Sequence, residues 1–184
     1  LYNHLAERYD LRQQNPAIEL LRGKELGLIK KYSSGIALDL GCGTGYHLNL
    51  AENAIGLDIS EKMLGIDRQK GRPLVQGDAE NIPIKPGSIG TVLCFYSTLN
   101  FVAYKKAIQE ISKILKPGGK AIFSVASIRD MDKTRSSSES RIKRFRLEGK
   151  PVNMRLLEKD EVVDCFERNG FKLREFNSIF RIQN

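Results

Sequence analysis

Hydrophobic residues occur along this chain in short blocks that alternate with amphipathic stretches. The blocks are three to six residues long and largely apolar, at residues 36–40, 54–57, 74–76, 91–95 and 120–125. Blocks of this length predict buried strands, whereas apolar residues at helical spacing predict helices at 17–31, at 46–53, after Ser60 and at 104–115. The alternation predicts parallel strands joined by right-handed crossovers. We therefore predict an α/β fold with a doubly wound, mainly parallel sheet and helices on both faces.

The last third of the chain departs from this alternation. Residues 129–150 are rich in serine and basic side chains, and we interpret them as a partly mobile excursion from the sheet with a short strand near Phe145. This excursion is expected to form part of a substrate cap. A helix at 158–169, with Gly170 as its C-cap, and a strand at 171–176 are predicted to follow.

Composition limits the class of protein. The 184 residues, of which 41% are hydrophobic and 28% charged, fit one globular domain over residues 1–184. No apolar run approaches the roughly 20 residues that span a bilayer, and the polar first ten residues do not predict a signal peptide. Because the chain begins with Leu1 rather than methionine, we expect further residues before it.

The cysteines bear on metal binding and on the cellular compartment. Three are present, at Cys42, Cys94 and Cys165, without CxxC spacing. This pattern favours neither a disulfide framework nor a zinc site, so no metal is predicted. A reducing, cytoplasmic location is expected.

The charge of the chain raises the question of a polyanionic partner. The formal net charge is +8, and segment 129–150 holds eight basic and four acidic residues, a local excess of +4 (8 − 4). One interpretation is contact with RNA or an acidic substrate. The other is a solvated basic surface. Phe145 is the only aromatic residue of the segment, so a platform on which RNA bases could stack has little support.

A glycine-rich turn follows the first predicted strand. Its sequence from Asp39 to Gly45 is DLGCGTG, and glycines there let the backbone turn sharply and approach a ligand. Two more acids follow later strands, Asp58 after residues 54–57 and Asp78 after residues 74–76. Ligands bind at the carboxyl ends of the strands in open α/β sheets, and a carboxylate in the position of Asp58 can accept hydrogen bonds from both ribose hydroxyls.

Four segments, in this order, resemble the motifs of the class I S-adenosylmethionine (SAM)-dependent methyltransferases. They are residues 36–46 around the glycine loop, 55–63 (IGLDISEKM), 75–84 (VQGDAENIPI) and 115–123 (LKPGGKAIF). The resemblance covers residues 35–126 and is greatest to the ubiquinone/menaquinone-biosynthesis-like, type 11 subfamily. It implies a Rossmann-like methyltransferase fold, SAM as the cofactor and S-adenosylhomocysteine as its product.

The resemblance also implies roles for individual residues. The methionine part of the cofactor would be surrounded by Asp39 and by the backbone of Gly41, Cys42, Gly43 and Gly45. The ribose would be held by Asp58, and the adenine by Ile59, Asp78 and Ala79. Phe95 and Tyr96 would border the methyl group, and Tyr9 would close over the cofactor.

The chain departs from the subfamily in two places. Gly90 stands where relatives usually carry an acid, which we expect to weaken local stability more than chemistry. Asn100-Phe101 replaces a histidine pair that often follows the fourth strand. Tyr9, His47, Tyr96 and Asn100 are candidates near the predicted site, and His4 could lie over it, but no catalytic base is assigned.

Alternative functions remain at this stage. An NAD-dependent oxidoreductase shares the glycine loop and the acid after the second strand, but Tyr46 stands where a third glycine is expected. A non-catalytic SAM-binding protein is a second alternative, because a fold does not guarantee an activity. Among enzymes, a small-molecule acceptor is favoured over RNA such as tRNA.

Overall fold

The computed structural model describes residues 6, 9–10, 16–68, 71–127, 141–147 and 149–177. Its centre is a sheet of five parallel strands in the order β3-β2-β1-β4-β5. The strands are β1 (Ala37–Leu40), β2 (Ala54–Asp58), β3 (Leu74–Gln76), β4 (Ile89–Cys94) and β5 (Leu115–Phe123). The doubly wound parallel sheet predicted from the alternation of elements is therefore confirmed.

Helices cover both faces of the sheet. They are α1 (Pro16–Tyr32), α2 (Glu61–Arg68), α3 (Thr98–Phe101), α4 (Tyr104–Ile114) and α5 (Lys159–Arg168), with a 3₁₀ helix at His47–Asn49. Alternate strand residues point to opposite faces. Leu38 and Leu40 therefore pack with residues of α4 and α5, while Ala37 belongs to the core beneath α1 and α2.

A second, two-stranded sheet lies outside the main one. β6 (Ile142–Leu147) pairs antiparallel with β7 (Lys150–Arg155), and Phe145 lies opposite Val152. The strand expected near Phe145 is thus confirmed, whereas β7 was not predicted. Its alternation of buried Val152 and Met154 with exposed polar neighbours is the signal that could have indicated it. Residues 129–140 of the predicted excursion lie outside the described residues.

The side chain of Asn100 joins this hairpin to the main sheet. Its amide nitrogen donates to the carbonyl oxygens of Ala126 and Arg155, and its oxygen accepts from the Ala126 backbone nitrogen at 2.9 Å. Asn100 is buried in α3. It therefore connects the end of β7 with the chain after β5, and these contacts occupy its side chain.

Three predicted elements have different limits in the structure. The helix expected at 46–53 is reduced to His47–Asn49, and the chain turns through Asn53, whose φ is +52°. β5 begins at Leu115, which pairs with Ile89, rather than at residue 120. The strand predicted at 171–176 is wrong, since residues 171–177 have no regular structure.

Side-chain contacts and a helix cap fix residues 166–175 instead. Glu175 accepts hydrogen bonds from the side chains of Lys31 and Tyr32 on α1. Gly170 adopts a φ of +86°, and the amide of Phe171 donates to the carbonyl of Phe166 at 3.2 Å. The backbone hydrogen bonds of Gly170 and Phe171 form a Schellman motif, which agrees with the predicted C-cap.

Gly90 lies where two segments approach closely. A β-carbon at this position would overlap the carbonyl oxygen of Ser34, and the Gly90 amide donates to Ile36 at 2.9 Å. The expectation that glycine is a weak point here is therefore wrong. Only a residue without a side chain allows the start of β4 to pack against the turn before β1.

Replacement of Gly90 by alanine is expected to lower the free energy of unfolding by about 1–3 kcal/mol, because the added methyl group forces the two segments apart. The control is Gly27→Ala in α1. A β-carbon at position 27 meets nothing within 4 Å, so this substitution should raise the free energy of unfolding by about 0.5–1 kcal/mol. Urea unfolding of both variants measures the change in free energy of unfolding for each substitution. Equal effects of the two substitutions would contradict the packing argument.

Candidate functional site

The glycine loop lies at the carboxyl end of β1 and is bound to the end of β2. The amides of Gly41 and Cys42 both donate to the carbonyl of Leu57, at 2.7 and 3.0 Å. Gly41, Gly43 and Gly45 have φ values of +77°, +56° and +81°, a region that residues with a β-carbon rarely adopt. This path of the loop therefore strongly favours glycine at these positions.

Close packing beneath the loop imposes a second requirement for glycine. A β-carbon on Gly41 would overlap the side chain of Thr98, and one on Gly45 would overlap the carboxylate of Asp67. Asp67 lies on α2 and is fully buried. Asp67 was not predicted from the sequence. An acidic residue near the end of a helix is usually exposed, and its contact with a loop distant in sequence leaves no local signal.

Asp39 places a buried carboxyl group directly before the loop. Its side chain is 1% exposed, and no described residue forms a hydrogen bond with its Oδ2 atom. Burial raises the pKa of Asp39 from 3.8 to about 7, and the nearby His47 opposes that shift. A buried carboxylate without a partner is unfavourable, so this position fits a ligand that brings a cationic group such as an ammonium.

Asp58 ends β2 and is oriented by two backbone amides. Its Oδ2 accepts from Gly43 at 2.9 Å and its Oδ1 from Ser60 at 2.8 Å. Burial raises the pKa of Asp58, and these hydrogen bonds oppose the shift. Each carboxylate oxygen has a second lone pair, so both oxygens could still accept hydrogen bonds from a pair of ligand hydroxyls.

The residues after β2 and β3 form a more open region beside Asp58. Ile59 is 63% exposed and provides an apolar surface next to the carboxylate. Asp78 accepts a hydrogen bond from the Glu80 amide at 2.9 Å, and Ala79 is buried. The amide of Gly77 donates to the carbonyl of Asp58 at 3.1 Å, which holds this turn against the end of β2.

Two residues after β4 have strained backbone conformations. Tyr96 and Ser97 have φ values of +49° and +64°, which costs about 1–3 kcal/mol for each such residue and occurs preferentially at functional sites. The Tyr96 hydroxyl accepts a hydrogen bond from Nε of Arg22 at 2.9 Å. Phe95 is buried beside it.

His47 lies in the wall of the site but is engaged with another side chain. Its Nε2 is 2.9 Å from Oε2 of Glu25, and both residues are buried. The other oxygen of Glu25 accepts from the Ser124 hydroxyl at 3.3 Å. The His47 ring packs against those of Phe95 and Tyr96, at centroid distances of 4.6 and 5.4 Å. His47 therefore supports these rings, and His4 lies outside the described residues.

A small cavity brings most of these groups together. Its volume is about 30 Å³, and its walls are Tyr9, Asp10, Arg22, Asp39, Gly41, Cys42, Gly43, Thr44, Tyr46, His47, Phe95 and Tyr96. Seven of the twelve predicted site residues line it. Asp58, Ile59, Asp78 and Ala79 lie outside this cavity, along the ends of β2 and β3, and Gly45 packs on Asp67.

Arg22, Tyr46 and Asp10 belong to the cavity although sequence reasoning did not select them. Arg22 lies on α1, 74 residues from Tyr96, and only the fold brings them together.

A larger groove of about 1560 Å³ follows β5, α1 and α5, and it shares only Tyr96 with the small cavity. We place the candidate site at the small cavity, because the buried carboxyl group and the glycine loop are there.

Comparison with known proteins identifies the class. The methyltransferase domain family matches residues 38–123, from β1 to the end of β5. A SAM-dependent methyltransferase of Thermotoga maritima, a possible histamine N-methyltransferase, superposes with a TM-score of 0.72 and 25% identity over 94% of this chain and 80% of its own. The chain belongs to the class I SAM-dependent methyltransferases, and its cofactor is SAM.

Two uncharacterised proteins of Methanocaldococcus jannaschii are similar in sequence. One is 37% identical over 71% of this chain and 52% of its own length, and the other is 33% identical over 90% and 69%. The chain thus spans about half the length of the first of them.

Other relatives are enzymes with named acceptors. A demethylmenaquinone methyltransferase of Lactococcus lactis is 31% identical over 66% of this chain and 55% of its own. A tRNA (carboxymethyluridine(34)-5-O)-methyltransferase of Mus musculus is 27% identical over 79% and 22%.

Replacement of Asp39 by asparagine is expected to stabilise the protein without ligand at pH 8. Because the folded-state pKa of about 7 exceeds the ordinary value, ionisation of Asp39 destabilises the folded state progressively between about pH 4 and pH 7. The gain in free energy of unfolding should be near zero at pH 4 and about 2–4 kcal/mol at pH 8.

Urea unfolding at several pH values measures this gain, with the exposed Glu52→Gln as control. A gain that does not change with pH would show that burial of the Asp39 charge is not its source.

Proposed function

We propose that this chain, as one domain over residues 1–184, transfers a methyl group from SAM to an acceptor at the carboxyl edge of its sheet. The observation that carries the proposal is the buried Asp39 carboxyl group, whose Oδ2 has no partner among the described residues, beneath a loop of glycines with positive φ. SAM supplies a methyl group on a sulfonium sulfur, so the protein contributes mainly position and exclusion of water.

Different residues of the cavity contact different groups of the cofactor's methionine part. Asp39 accepts its ammonium group, and the backbone of the glycine loop, including Cys42, surrounds the chain of carbon atoms. Phe95 and Tyr96 border the sulfur and methyl group. Tyr9 closes the cavity from outside, and its ring already lies 3.9 Å from the position of a β-carbon on Gly43.

The open region beside the cavity receives the adenosine. Asp58 accepts hydrogen bonds from the two ribose hydroxyls, an arrangement known from dinucleotide sites in which an acid after the second strand holds a ribose. Ile59 packs on the adenine. Asp78 accepts from the adenine amino group, while the Ala79 amide donates to a ring nitrogen.

Asp58→Ala is expected to reduce SAM and S-adenosylhomocysteine affinity by at least tenfold, because two hydrogen bonds to a carboxylate are lost. Calorimetric titration measures the affinity for each nucleoside, with NAD as the ligand control and Glu52→Gln as the protein control. Binding of NAD in place of the two sulfur nucleosides would favour the oxidoreductase alternative. Tight SAM binding without methyl transfer to any acceptor would favour a non-catalytic SAM-binding protein.

The catalytic base remains unassigned. His47 forms a buried pair with Glu25 and packs against Phe95 and Tyr96, so we give it a supporting role. Asn100 joins the hairpin to the main sheet, and its amide is not basic. Tyr9 and Tyr96 are the remaining candidates at the cavity. Burial raises the pKa of Tyr96 to about 12, which makes its phenolate scarce at neutral pH. This arrangement suits an acceptor that is already nucleophilic.

A small molecule is the acceptor class that we retain from the sequence. Relatives named as demethylmenaquinone methyltransferases support this class. The cytoplasmic location also stays a prediction.

RNA is a second candidate, favoured by the outer face of the hairpin. Arg144 lies opposite Asn153 and Arg155 lies opposite Ile142, so both arginines project from the same exposed face. Neither guanidinium donates a hydrogen bond to a described residue. Glu148 is the only acid in residues 141–155, beside six basic residues. Such a surface can contact phosphates.

The paired variant Arg144→Gln/Arg155→Gln tests RNA binding. We expect its affinity for unfractionated tRNA to fall about tenfold at low salt. The slope of log affinity against log salt concentration should become shallower by the equivalent of about two phosphate contacts. The control is Lys105→Gln/Lys106→Gln on the exposed face of α4, which removes the same charge. Equal losses in both variants would indicate a general charge effect, and no tRNA binding by the unaltered protein would leave the small-molecule class.

A further inference from the structure

A buried glutamate lies behind His47 in the wall of the small cavity. His47 and Glu25 are 4% and 2% exposed, and Nε2 of the one is 2.9 Å from Oε2 of the other. The second Glu25 oxygen accepts a hydrogen bond from the Ser124 hydroxyl at 3.3 Å. Because a carboxylate oxygen can only accept, Nε2 of His47 carries a hydrogen and donates it to Glu25.

Aromatic side chains surround the imidazole ring of His47. Its centroid lies 4.6 Å from that of Phe95 and 5.4 Å from that of Tyr96, and the Tyr46 ring meets it edge-on at 5.1 Å. Nδ1 forms no hydrogen bond with a described residue. The position of His47 is therefore fixed by Glu25 on one side and by ring packing on the others.

The charged groups that act on Asp39 are mostly acids. Asp58, Asp67 and Glu25 each raise the pKa of Asp39, whereas His47 lowers it and has the largest effect of the four. Further ionisable side chains stand in the cavity walls, at Tyr9, Asp10, Arg22, Cys42, Tyr46 and Tyr96. Without a charge on His47, the Asp39 carboxyl group would face these three acids with much less to oppose them.

We infer that His47 is a positioning residue whose charge, held in place by Glu25, keeps Asp39 ionised at the pH where the cofactor's ammonium group binds. The inference rests on the proposed function, in which Asp39 accepts that group. A carboxylate binds an ammonium group more strongly than a neutral carboxyl group does, because hydrogen bonds between ionised partners are stronger. The pair of Glu25 and His47 therefore sets the lower pH limit of cofactor binding.

Two variants remove the charge of His47 in different ways. His47→Gln keeps a hydrogen-bond donor for Glu25. Glu25→Gln/His47→Gln replaces the pair by two amides, so no buried charge loses its partner if the single variant fails to fold. The control Ser124→Ala removes a hydrogen bond from Glu25 without changing any charge.

Two nucleosides that differ only in the amino group are titrated into each protein between pH 6 and pH 8.5. They are S-adenosylhomocysteine and 5′-S-(3-carboxypropyl)-5′-thioadenosine. The ratio of their affinities isolates the contact of the ammonium group, since every other group is shared.

NMR gives a second readout that needs no ligand. The carboxyl ¹³C resonance of Asp39, assigned by its loss in Asp39→Asn, reports the ionisation of that group. The chain has two histidines, so the ring resonances of His47 are assigned by their loss in His47→Gln.

In the unaltered protein the ratio should rise with pH as Asp39, whose pKa is about 7, loses its proton. His47→Gln should move this rise upward by about one pH unit. The ratio then falls about tenfold at pH 6 and recovers to within about twofold at pH 8.5. The double variant should shift in the same direction by less, because the opposing charge of Glu25 is also removed, and Ser124→Ala should not shift. The Asp39 resonance should move in parallel.

Two results would overturn the inference. Weaker binding of both nucleosides at every pH, with the Asp39 titration unmoved, would show that His47 only supports Phe95 and Tyr96. A His47 ring that stays uncharged over the range in which Asp39 titrates would show that it supplies no charge. Failure of the unaltered protein to bind either nucleoside would instead contradict the proposed function, and this inference would fall with it.

Discussion

Hydrogen bonds between the glycine loop and the end of β2 determine the geometry of this site. Two loop amides share the Leu57 carbonyl, and a third donates to the Asp58 carboxylate. The same carboxylate accepts from Ser60 at the start of α2. Because one acid orients both the loop and the next helix entry, the methionine and ribose ends of the proposed cofactor site are set relative to each other before any ligand binds.

The protein concentrates unfavourable features around that loop. Asp39 is a buried acid whose Oδ2 has no partner in the described part of the chain, and Tyr96 and Ser97 have left-handed backbones. Gly41 and Gly45 pack against Thr98 and Asp67 too closely for any side chain. The rest of the sheet is apolar and well covered, with helices on both faces. Strain of this kind persists only where surrounding structure enforces it, which is consistent with a site built for a charged ligand.

Contacts from outside the central sheet complete the site. α1 contributes Arg22 to the cavity and Glu25 to the buried pair with His47. Asn100 ties the basic hairpin to the chain after β5, close to where β4 ends. The strand ends of the central sheet therefore carry most of the proposed cofactor residues, while α1 and the hairpin add contacts from outside the sheet.

The sequence by itself determined the order of strands and helices, because apolar blocks and turn residues act over short distances. It also indicated the glycine loop, Asp39, Asp58 and the resemblance to SAM-dependent methyltransferases, since these residues are adjacent in sequence or follow strands. It failed where distant segments decide the outcome. Residues 171–176 have the pattern of a strand, but among the described strands β5 is the edge of the main sheet, and Glu175 pairs with α1 instead.

Gly90 is a departure from relatives that only its contact with Ser34 explains. Asn100, a candidate site residue by position, is a structural connection. Arg22 carries no sequence signal because Tyr46 and Tyr96 are 24 and 74 residues away. Local backbone preference thus fixed the elements, whereas close packing and the pairing of buried charges, which depend on the folded chain, decided which side chains meet at the site.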